Sequence, residues 1–412
     1  MNKQKCNIIG VFAYADPNLK FDHFLDYNPG IGGTEYLYFC LTLLLSKKAN
    51  TKVVVFSPVF LINLPKNIIQ IRCPSARKAL VIFDNEFGGI FIFTPKTNID
   101  LAFGPLSRTQ IILWEHLQLD KTILKLCEKR KEVVANVVLS NAQANWMWKT
   151  KLRKKTVIIN NFVSSHTVTR NYQSTTHIVF YIGAIYPNKH LDFLTKAWPR
   201  VIKKIPDAHL FVIGSSKVYS ENAIVGALGI STPEYEAAII EPLVRSKTID
   251  SVSFLGKMDN LKMYNQLSDC SVGVVNPVGS GETFCISALN FGVMGIPVVG
   301  ANYGGLKTTI PKNCGYRINT NEQLSNKIIE LLKNKEKNIY FGNHFKNVVT
   351  EFFTVEIFEK RWIELIDNIN KELDKIPWVK KGLICSVVSS FFDWYHLFLH
   401  RIKSFVFRKL HR

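Results

Sequence analysis

Asn276-Pro-Val-Gly-Ser-Gly-Glu-Thr-Phe-Cys-Ile-Ser-Ala-Leu-Asn290, continued at Gly295-Ile-Pro-Val-Val-Gly300, is the stretch on which the reading of this chain turns. The apolar run Ser271 to Val275 leads into a glycine-bearing loop. The loop opens a helical pattern over Thr283 to Val293, which returns to a second apolar run, Pro297 to Gly300. Strand, loop, helix and strand in that order make one crossover of a parallel sheet. The loop leaves its strand at the carboxyl end, where open α/β sheets bind ligands and where free N–H groups at a helix start favour phosphate.

Working outward, the same alternation recurs. Towards the N-terminus of this half lie an expected strand Ile178 to Gly183, helix Leu191 to Lys204, strands His209 to Ile213 and Ser251 to Leu255, and helix Asn260 to Leu267. Before them the polar stretch Ser164 to Thr176 has no apolar periodicity and reads as a linker. An earlier series supplies expected strands Asn7 to Ala13, Lys52 to Ser57, Ala79 to Phe83, Gly89 to Phe93, Gln110 to Trp114, Val134 to Leu139 and Val157 to Ile159. The clearest helix of that series is Thr34 to Lys47, with Tyr36, Phe39, Cys40, Leu43 and Leu44 on one face. The pattern predicts two similar halves, each a parallel sheet covered on both faces. Beyond them Thr354 to Leu373 has helical spacing with Thr354 as N-cap, and Pro377 starts a separate tail.

Composition agrees with this organisation. The chain has 412 residues, 47% of them hydrophobic, which excludes a disordered chain and asks for two or three domains. Its formal charge is +20, from 52 Lys and Arg against 32 Asp and Glu, so polyanionic partners of several kinds are open. The eight cysteines are scattered without a Cys-x-x-Cys pair, which predicts reduced thiols in a cytosolic protein and neither a disulfide framework nor a zinc site. The apolar stretch from Cys6 to Tyr14 ends at Asp16-Pro17, too short for a secretory signal, so no export is expected.

Two loops are candidate ligand sites. Asn28-Pro-Gly-Ile-Gly-Gly-Thr-Glu35 opens the helix at Thr34, with Gly30, Gly32 and Gly33 permitting close backbone approach to a phosphate and Thr34 placed to cap the helix. It lacks the Gly-Lys-Ser/Thr of a Walker loop, and it reads equally as a plain turn. In the second loop Glu282 sits at the loop-to-helix junction, able to accept hydrogen bonds from a polyol while the N–H groups of Thr283, Phe284 and Cys285 point into the same space. An N-terminal carboxylate complementing the helix dipole is the alternative.

These residues carry a resemblance. Glu-x-Phe-x-x-x-Ala-Leu from Glu282 and then Gly-x-Pro-Val-Val from Gly295 resemble the nucleotide-sugar motif of family 4 glycosyltransferases, the glycosyl transferases group 1 type. Gly32-Gly33-Thr34-Glu35 is similar to the family's N-terminal Gly-Gly loop, Ser140-Asn-Ala-Gln143 and Val157 to Asn160 to its segments before the linker. Tyr181-Ile-Gly-Ala-Ile-Tyr-Pro-Asn-Lys189, with Pro206 to Gly214 after it, looks like the opening of its donor domain. The resemblance implies an α/β chain of GT-B fold: two Rossmann-like, doubly wound domains facing across a cleft, plus a C-terminal helical tail. It implies a retaining, metal-independent enzyme with no cofactor, whose donor substrate is a nucleotide-diphosphate sugar. Lys189 then meets the diphosphate beside Gly183, Glu282 the transferred sugar, and Asn290 the ribose. His116, after the run Ile111 to Glu115, falls near the family's His beside the donor sugar, although a His that fixes its loop by hydrogen bonding fits the residues too. Glu115 beside it reads as a solvated loop residue.

Two positions depart from the family pattern. Its second Glu is Asn290 here, an acceptor without charge, a difference of roughly 1 kcal/mol in a hydrogen bond. Its Arg after the donor-domain glycine is Ala184, leaving Lys189 as the phosphate cation with Lys257 or Lys307 as helpers. The expected domains are 1–165 for acceptor, 166–350 for donor, 351–375 as a helix crossing back to the N-terminal half, and 376–412 as a basic, aromatic, amphipathic tail. The expected function is sugar transfer to a glycan or lipid-linked acceptor in cell-surface polysaccharide or glycolipid synthesis. The alternatives are a non-catalytic sugar-nucleotide-binding scaffold and a GT-B-fold epimerase. The clusters Lys121 to Lys131 and Lys149 to Lys155 and the tail make an anionic membrane surface a candidate partner, and the cytoplasm, peripheral on the inner face of the membrane, the expected place. A solvated face explains a charge run as well. Nucleic acid is not expected, since no nucleic-acid module accompanies the charge.

Overall fold

The computed structural model describes residues 7–15, 21, 23–147, 150–164, 168–172, 176–218, 224–371 and 373–379. Of the amphipathic tail expected over 376–412, residues 380–412 lie outside the described residues, as do Lys149 and Cys6.

The first sheet is formed by β1 (Asn7–Phe12), β2 (Thr51–Ser57), β3 (Ile68–Arg72), β4 (Gly89–Phe93), β5 (Thr109–Glu115), β6 (Val133–Val138) and β7 (Thr156–Ile158). All its pairings are parallel, in the order β3-β2-β1-β4-β5-β6-β7. Its helices are α1 (Gly33–Lys47), α2 (Ala76–Glu86), α3 (Lys121–Lys129) and α4 (Asn141–Trp146). The second sheet is again all parallel: β8 (Ile178–Ile182), β9 (His209–Ile213), β10 (Val252–Gly256), β11 (Val272–Val274), β12 (Val298–Ala301) and β13 (Gly315–Ile318), in the order β10-β9-β8-β11-β12-β13. It is covered by α5 (Leu191–Lys204), α6 (Pro233–Arg245), α7 (Asn260–Gln266), α8 (Ile286–Val293), α9 (Leu306–Thr309), α10 (Asn321–Lys333) and α11 (Lys335–Phe352). The last long helix, α12 (Val355–Lys371), follows Thr354, whose hydroxyl accepts from the Ile357 N–H at 3.4 Å.

Each sheet is doubly wound, and in each the strand order reverses once: between β1 and β4, and between β8 and β11. Helix α12 returns to the N-terminal domain. Trp362, fully buried, meets the Trp114 ring edge-on at 4.9 Å, and Lys48 Nζ pairs with Asp367 at 2.5 Å. One continuous core therefore runs through both domains and α12.

Several expectations change. Ala79 to Phe83 is not a strand but part of α2. Its Ser75 hydroxyl caps the Lys78 N–H, and Ala76, Ala79, Leu80 and Phe83 are buried at helical spacing while Val81 is exposed. A short apolar run has no period of its own to tell the two structures apart. Helix α1 starts at Gly33 with Gly32 as its N-cap, so Thr34 does not cap it. That helix is buried on every side from Tyr36 to Ser46 rather than along one stripe. Helix α8 starts at Ile286, so Thr283, Phe284 and Cys285 lie in the loop before it and not in its first turn.

Candidate active site

The two strand-order reversals place the candidate loops opposite one another. The loop after β11, residues 275–285, and the loop after β8, residues 183–190, flank the reversal of the second sheet. They bring Lys189 and Glu282 together: Nζ to Oε2 is 2.7 Å. The Glu282 side chain is 7% exposed and that of Lys189 29%, so the pair is half screened. Asn276 completes it, its side-chain NH2 donating to the same Glu282 oxygen at 3.0 Å while its side-chain oxygen accepts the Gly279 N–H at 2.8 Å. A loop absent from the sequence reading supports Glu282 from behind. Gly305 N–H donates to the Glu282 carbonyl at 2.8 Å, and a Cβ on Gly305 would stand 2.1 Å from the Thr283 carbonyl oxygen, so the approach requires glycine.

The N-terminal domain closes over this pair. His116 follows β5, and its carbonyl accepts the Thr283 hydroxyl at 2.7 Å, a bond between the domains. Gln143 holds the same loop, donating to the Glu115 carbonyl at 2.8 Å and to that of Leu117 at 3.3 Å while accepting the Leu139 N–H. The His116 ring lies against Trp114, centroids 4.4 Å apart. It is 7% exposed, and its Nε2 has no hydrogen-bond partner. Burial pushes its pKa down to about 3, with the Lys96 ammonium adding to the effect, so the imidazole is neutral at physiological pH. The backbone of His116 thus fixes the loop while its ring lines the cleft.

Glu115 is not a solvated loop residue. It ends β5 fully buried, with the Asn136 side chain beside it and neither carboxyl oxygen hydrogen-bonded, and burial holds its pKa well above the ordinary carboxylate range. The strand is buried on both faces, so its last residue enters the core whatever its charge.

The glycine loop after β1 reaches the second domain. Asn28 braces it, its side-chain oxygen accepting the N–H groups of Gly30 and Ile31 at 2.8 and 2.9 Å, while its carbonyl accepts the Asn260 N–H at 3.0 Å. Gly30 has φ +91°, and a Cβ there would lie 3.0 Å from the Met258 carbonyl oxygen, so a turn and a close approach both call for glycine.

The result is a cleft of about 600 Å³ lined by Gly33, Gly183, Lys189, Glu282, His116 and the residues Thr283 to Cys285. A lobe of about 180 Å³ adjoins it through Gly33, Gly183 and Ala184, and is lined further by Gly32, Lys257 and Asn290. The site residues read from the sequence, apart from the helper Lys307, therefore border these two adjoining spaces. Asn290 is 6% exposed, and its side-chain oxygen already accepts the Tyr264 hydroxyl at 2.9 Å. Phe284 packs towards Phe353, and burial pushes the Cys285 thiol up to about 12. Lys307, on α9, does not line this space among the described residues. Sequence reasoning placed Asn276 and Gln143 within longer segments without giving them a role, and missed the Gly304-Gly305 loop, which carried a signal, a double glycine just beyond an apolar strand.

Residues 168–348 match the sequence signature of the family described as Glycosyl transferases group 1. A stretch of 204 residues is 24% identical to a GDP-mannose-dependent monoacylated α-(1-6)-phosphatidylinositol monomannoside mannosyltransferase of Corynebacterium glutamicum, spanning 48% of this chain and 49% of that one. The chain thus matches about half the length of that curated relative. Among solved structures, a sucrose-phosphate synthase from Thermosynechococcus elongatus superposes with TM-score 0.65 at 18% identity, over 88% of this chain and 99% of that one. A glycosyltransferase from Rickettsia africae gives 0.66 at 14%, over 90% and 100%, and Anabaena HepE in complex with UDP and glucose gives 0.64 at 13%, over 88% and 100%. The fold is GT-B, and the resemblance read from Glu282 to Gly300 holds over the second domain.

Proposed function

We propose that this chain, whose residues 168–348 match the family described as Glycosyl transferases group 1, transfers a sugar from a nucleoside diphosphate sugar to a hydroxyl of a glycan or lipid-linked acceptor, in the synthesis of a cell-surface polysaccharide or glycolipid. One observation carries the reading. Lys189 and Glu282 are brought within 2.7 Å at a sheet's switch point, in a cleft closed by a second domain. A cation beside a carboxylate suits a substrate that is anionic at one end and a polyol at the other. Nucleotide sugars named for similar proteins support it: UDP-glucose in a complex of HepE, and the GDP-mannose on which the Corynebacterium mannosyltransferase depends.

In this reading Lys189 takes the diphosphate, Glu282 accepts from hydroxyls of the transferred sugar, and Asn290 meets the ribose from the adjoining lobe. Ala184, beside them, leaves Lys189 and Lys257 as the cations lining the space. Glu282 is the one carboxylate among the described residues that line the cleft, and one of its oxygens is already shared by Lys189 and Asn276. It is therefore placed to hold a sugar rather than to attack it. The chemistry that follows is departure of the nucleoside diphosphate, its charge met by Lys189 and backbone N–H groups, with the acceptor hydroxyl arriving on the same face and configuration retained. Neutral His116 can hydrogen-bond the sugar without adding charge.

The basic clusters favour an anionic membrane surface as the place of work. Helix α3 and the turn Lys151–Lys155 pack together and carry the exposed Lys125, Lys129, Lys151 and Lys154, each worth about 1 kcal/mol near anionic lipid. No helix among the described residues is long and apolar enough to cross a membrane.

A panel of nucleotide sugars, with and without lipid-linked acceptor, tests the reaction. Release of nucleotide is expected with at least one donor and faster with acceptor. Binding without release points to a scaffold, and interconversion of donors to an epimerase.

A further inference from the structure

The first sheet has a switch point of its own, between the carboxyl ends of β1 and β4, that the donor reading does not use. Tyr14 lies just beyond β1 and Lys96 just beyond β4. Lys96 Nζ stands 4.3 Å from the centre of the Tyr14 ring, and the edge-on ring of Phe12, 5.0 Å away, backs that tyrosine. Tyr14 is 39% exposed and Lys96 is exposed. Among the described residues Lys96 makes no ion pair with a carboxylate. Asp100 is close by and keeps its charge: one of its oxygens accepts the N–H groups of Lys96 and Thr97, both at 2.8 Å, and the Thr97 hydroxyl at 3.2 Å, and burial followed by this carboxylate raises the Tyr14 pKa. Lys189 across the cleft differs, since Glu282 matches its charge.

The neighbouring strand β5 brings His116 to the same end of the sheet. Its ring is more than nine-tenths buried, lines the cleft beside Leu117, and leaves Nε2 without a partner. An ammonium held over an aromatic face keeps its charge in a fixed place with little side-chain freedom left to lose. A neutral glycan needs no such cation, because hydroxyls are met equally well by amides and carboxylates. An acidic group gains a charge-assisted bond from it.

We propose that Tyr14 and Lys96 form the anion-reading part of the acceptor site: Lys96 binds a phosphate or carboxylate carried by the acceptor and thereby selects an acidic acceptor over a neutral one. The assignment to an acceptor rests on the transfer reaction proposed above, whereas selection by charge is tested separately from it. The probes are glucose, glucuronate and glucose 6-phosphate, titrated into the full chain by ligand-observed NMR with the donor half saturated by UDP or GDP. At least one acidic sugar is expected to bind tenfold or more tightly than glucose. Lys96→Gln removes that preference, Lys96→Arg keeps it, and Tyr14→Leu weakens it several-fold, all with unchanged melting temperature. The order of glucuronate and glucose 6-phosphate tells carboxylate from phosphate. Equal binding of the three sugars by the unaltered protein, or a preference that survives Lys96→Gln, overturns the proposal. Should neither nucleotide bind, the donor reading fails, and the sugar titrations run without nucleotide still decide the role of Lys96.

Discussion

Replacing Glu282 by Gln separates two things that the Lys189–Glu282 pair does. The glutamine keeps the shape of the side chain and an acceptor for the Asn276 amide, but it removes the charge that Lys189 faces at 2.7 Å. In the unliganded protein a diphosphate competes with that carboxylate for Lys189. Exchanging a charge-assisted for a neutral hydrogen bond changes its strength by about 1 kcal/mol, and 1 kcal/mol is about fivefold in an equilibrium constant. Glu282→Gln is therefore expected to bind UDP or GDP about fivefold more tightly. Turnover of the nucleotide sugar moves the other way, falling at least tenfold, because the sugar loses its charged acceptor. Calorimetric titration reads the first effect and steady-state nucleotide release the second, with a melting curve to confirm the fold. Weaker nucleotide binding in the variant would refute the reasoning, since it would make Glu282 a contributor to diphosphate binding rather than its competitor.

Glu115→Gln should stabilise the protein at neutral and alkaline pH. The folded pKa of Glu115 lies above its unfolded value, so its contribution is fully present below about pH 4.5 and is lost as pH rises, by up to about 1.4 kcal/mol per unit. His116 works in the opposite sense, its contribution lost as pH falls from about 6.5 towards 3. Denaturation of wild type and Glu115→Gln side by side should therefore diverge from pH 5 to 9 and agree near pH 4. Thr283→Val removes the hydroxyl bonded to the His116 carbonyl at 2.7 Å and should lower stability by about 1 to 2 kcal/mol in urea; no loss would show that the contact does not hold the domains together. Trp362→Ala, at a fully buried position against Trp114, should cost about 3 to 5 kcal/mol by the same measurement, and a cost below 1 kcal/mol would remove α12 from the shared core.

Much of this architecture was legible because buried parallel strands read as short apolar runs between helical patterns. Gly89–Phe93, His209–Ile213 and Leu191–Lys204 coincide with what their residues predict. Strand β3 was not, because Ile68-Ile-Gln-Ile-Arg72 lies at a sheet edge, half buried, and carries polar residues where a central strand has none. Ala79 to Phe83 misled for the complementary reason: five apolar residues in a row fit a helix flank as well as a strand. In the site, Glu282 and Lys189 could be named from the resemblance, but their contact joins loops 93 positions apart and is a product of topology. The burial of Glu115 was hidden because a carboxylate after a strand usually meets solvent. The Thr283 bond to His116 was hidden because it depends on how two domains meet.

Comparing nucleotide release by wild type and Lys189→Ala tests the central claim most directly. Both proteins would be given the same nucleotide sugar and acceptor, and both checked for the same melting behaviour. The account predicts release by the wild type and a rate at least tenfold lower in the variant. Equal rates, or no release from any donor by the wild type, would contradict it.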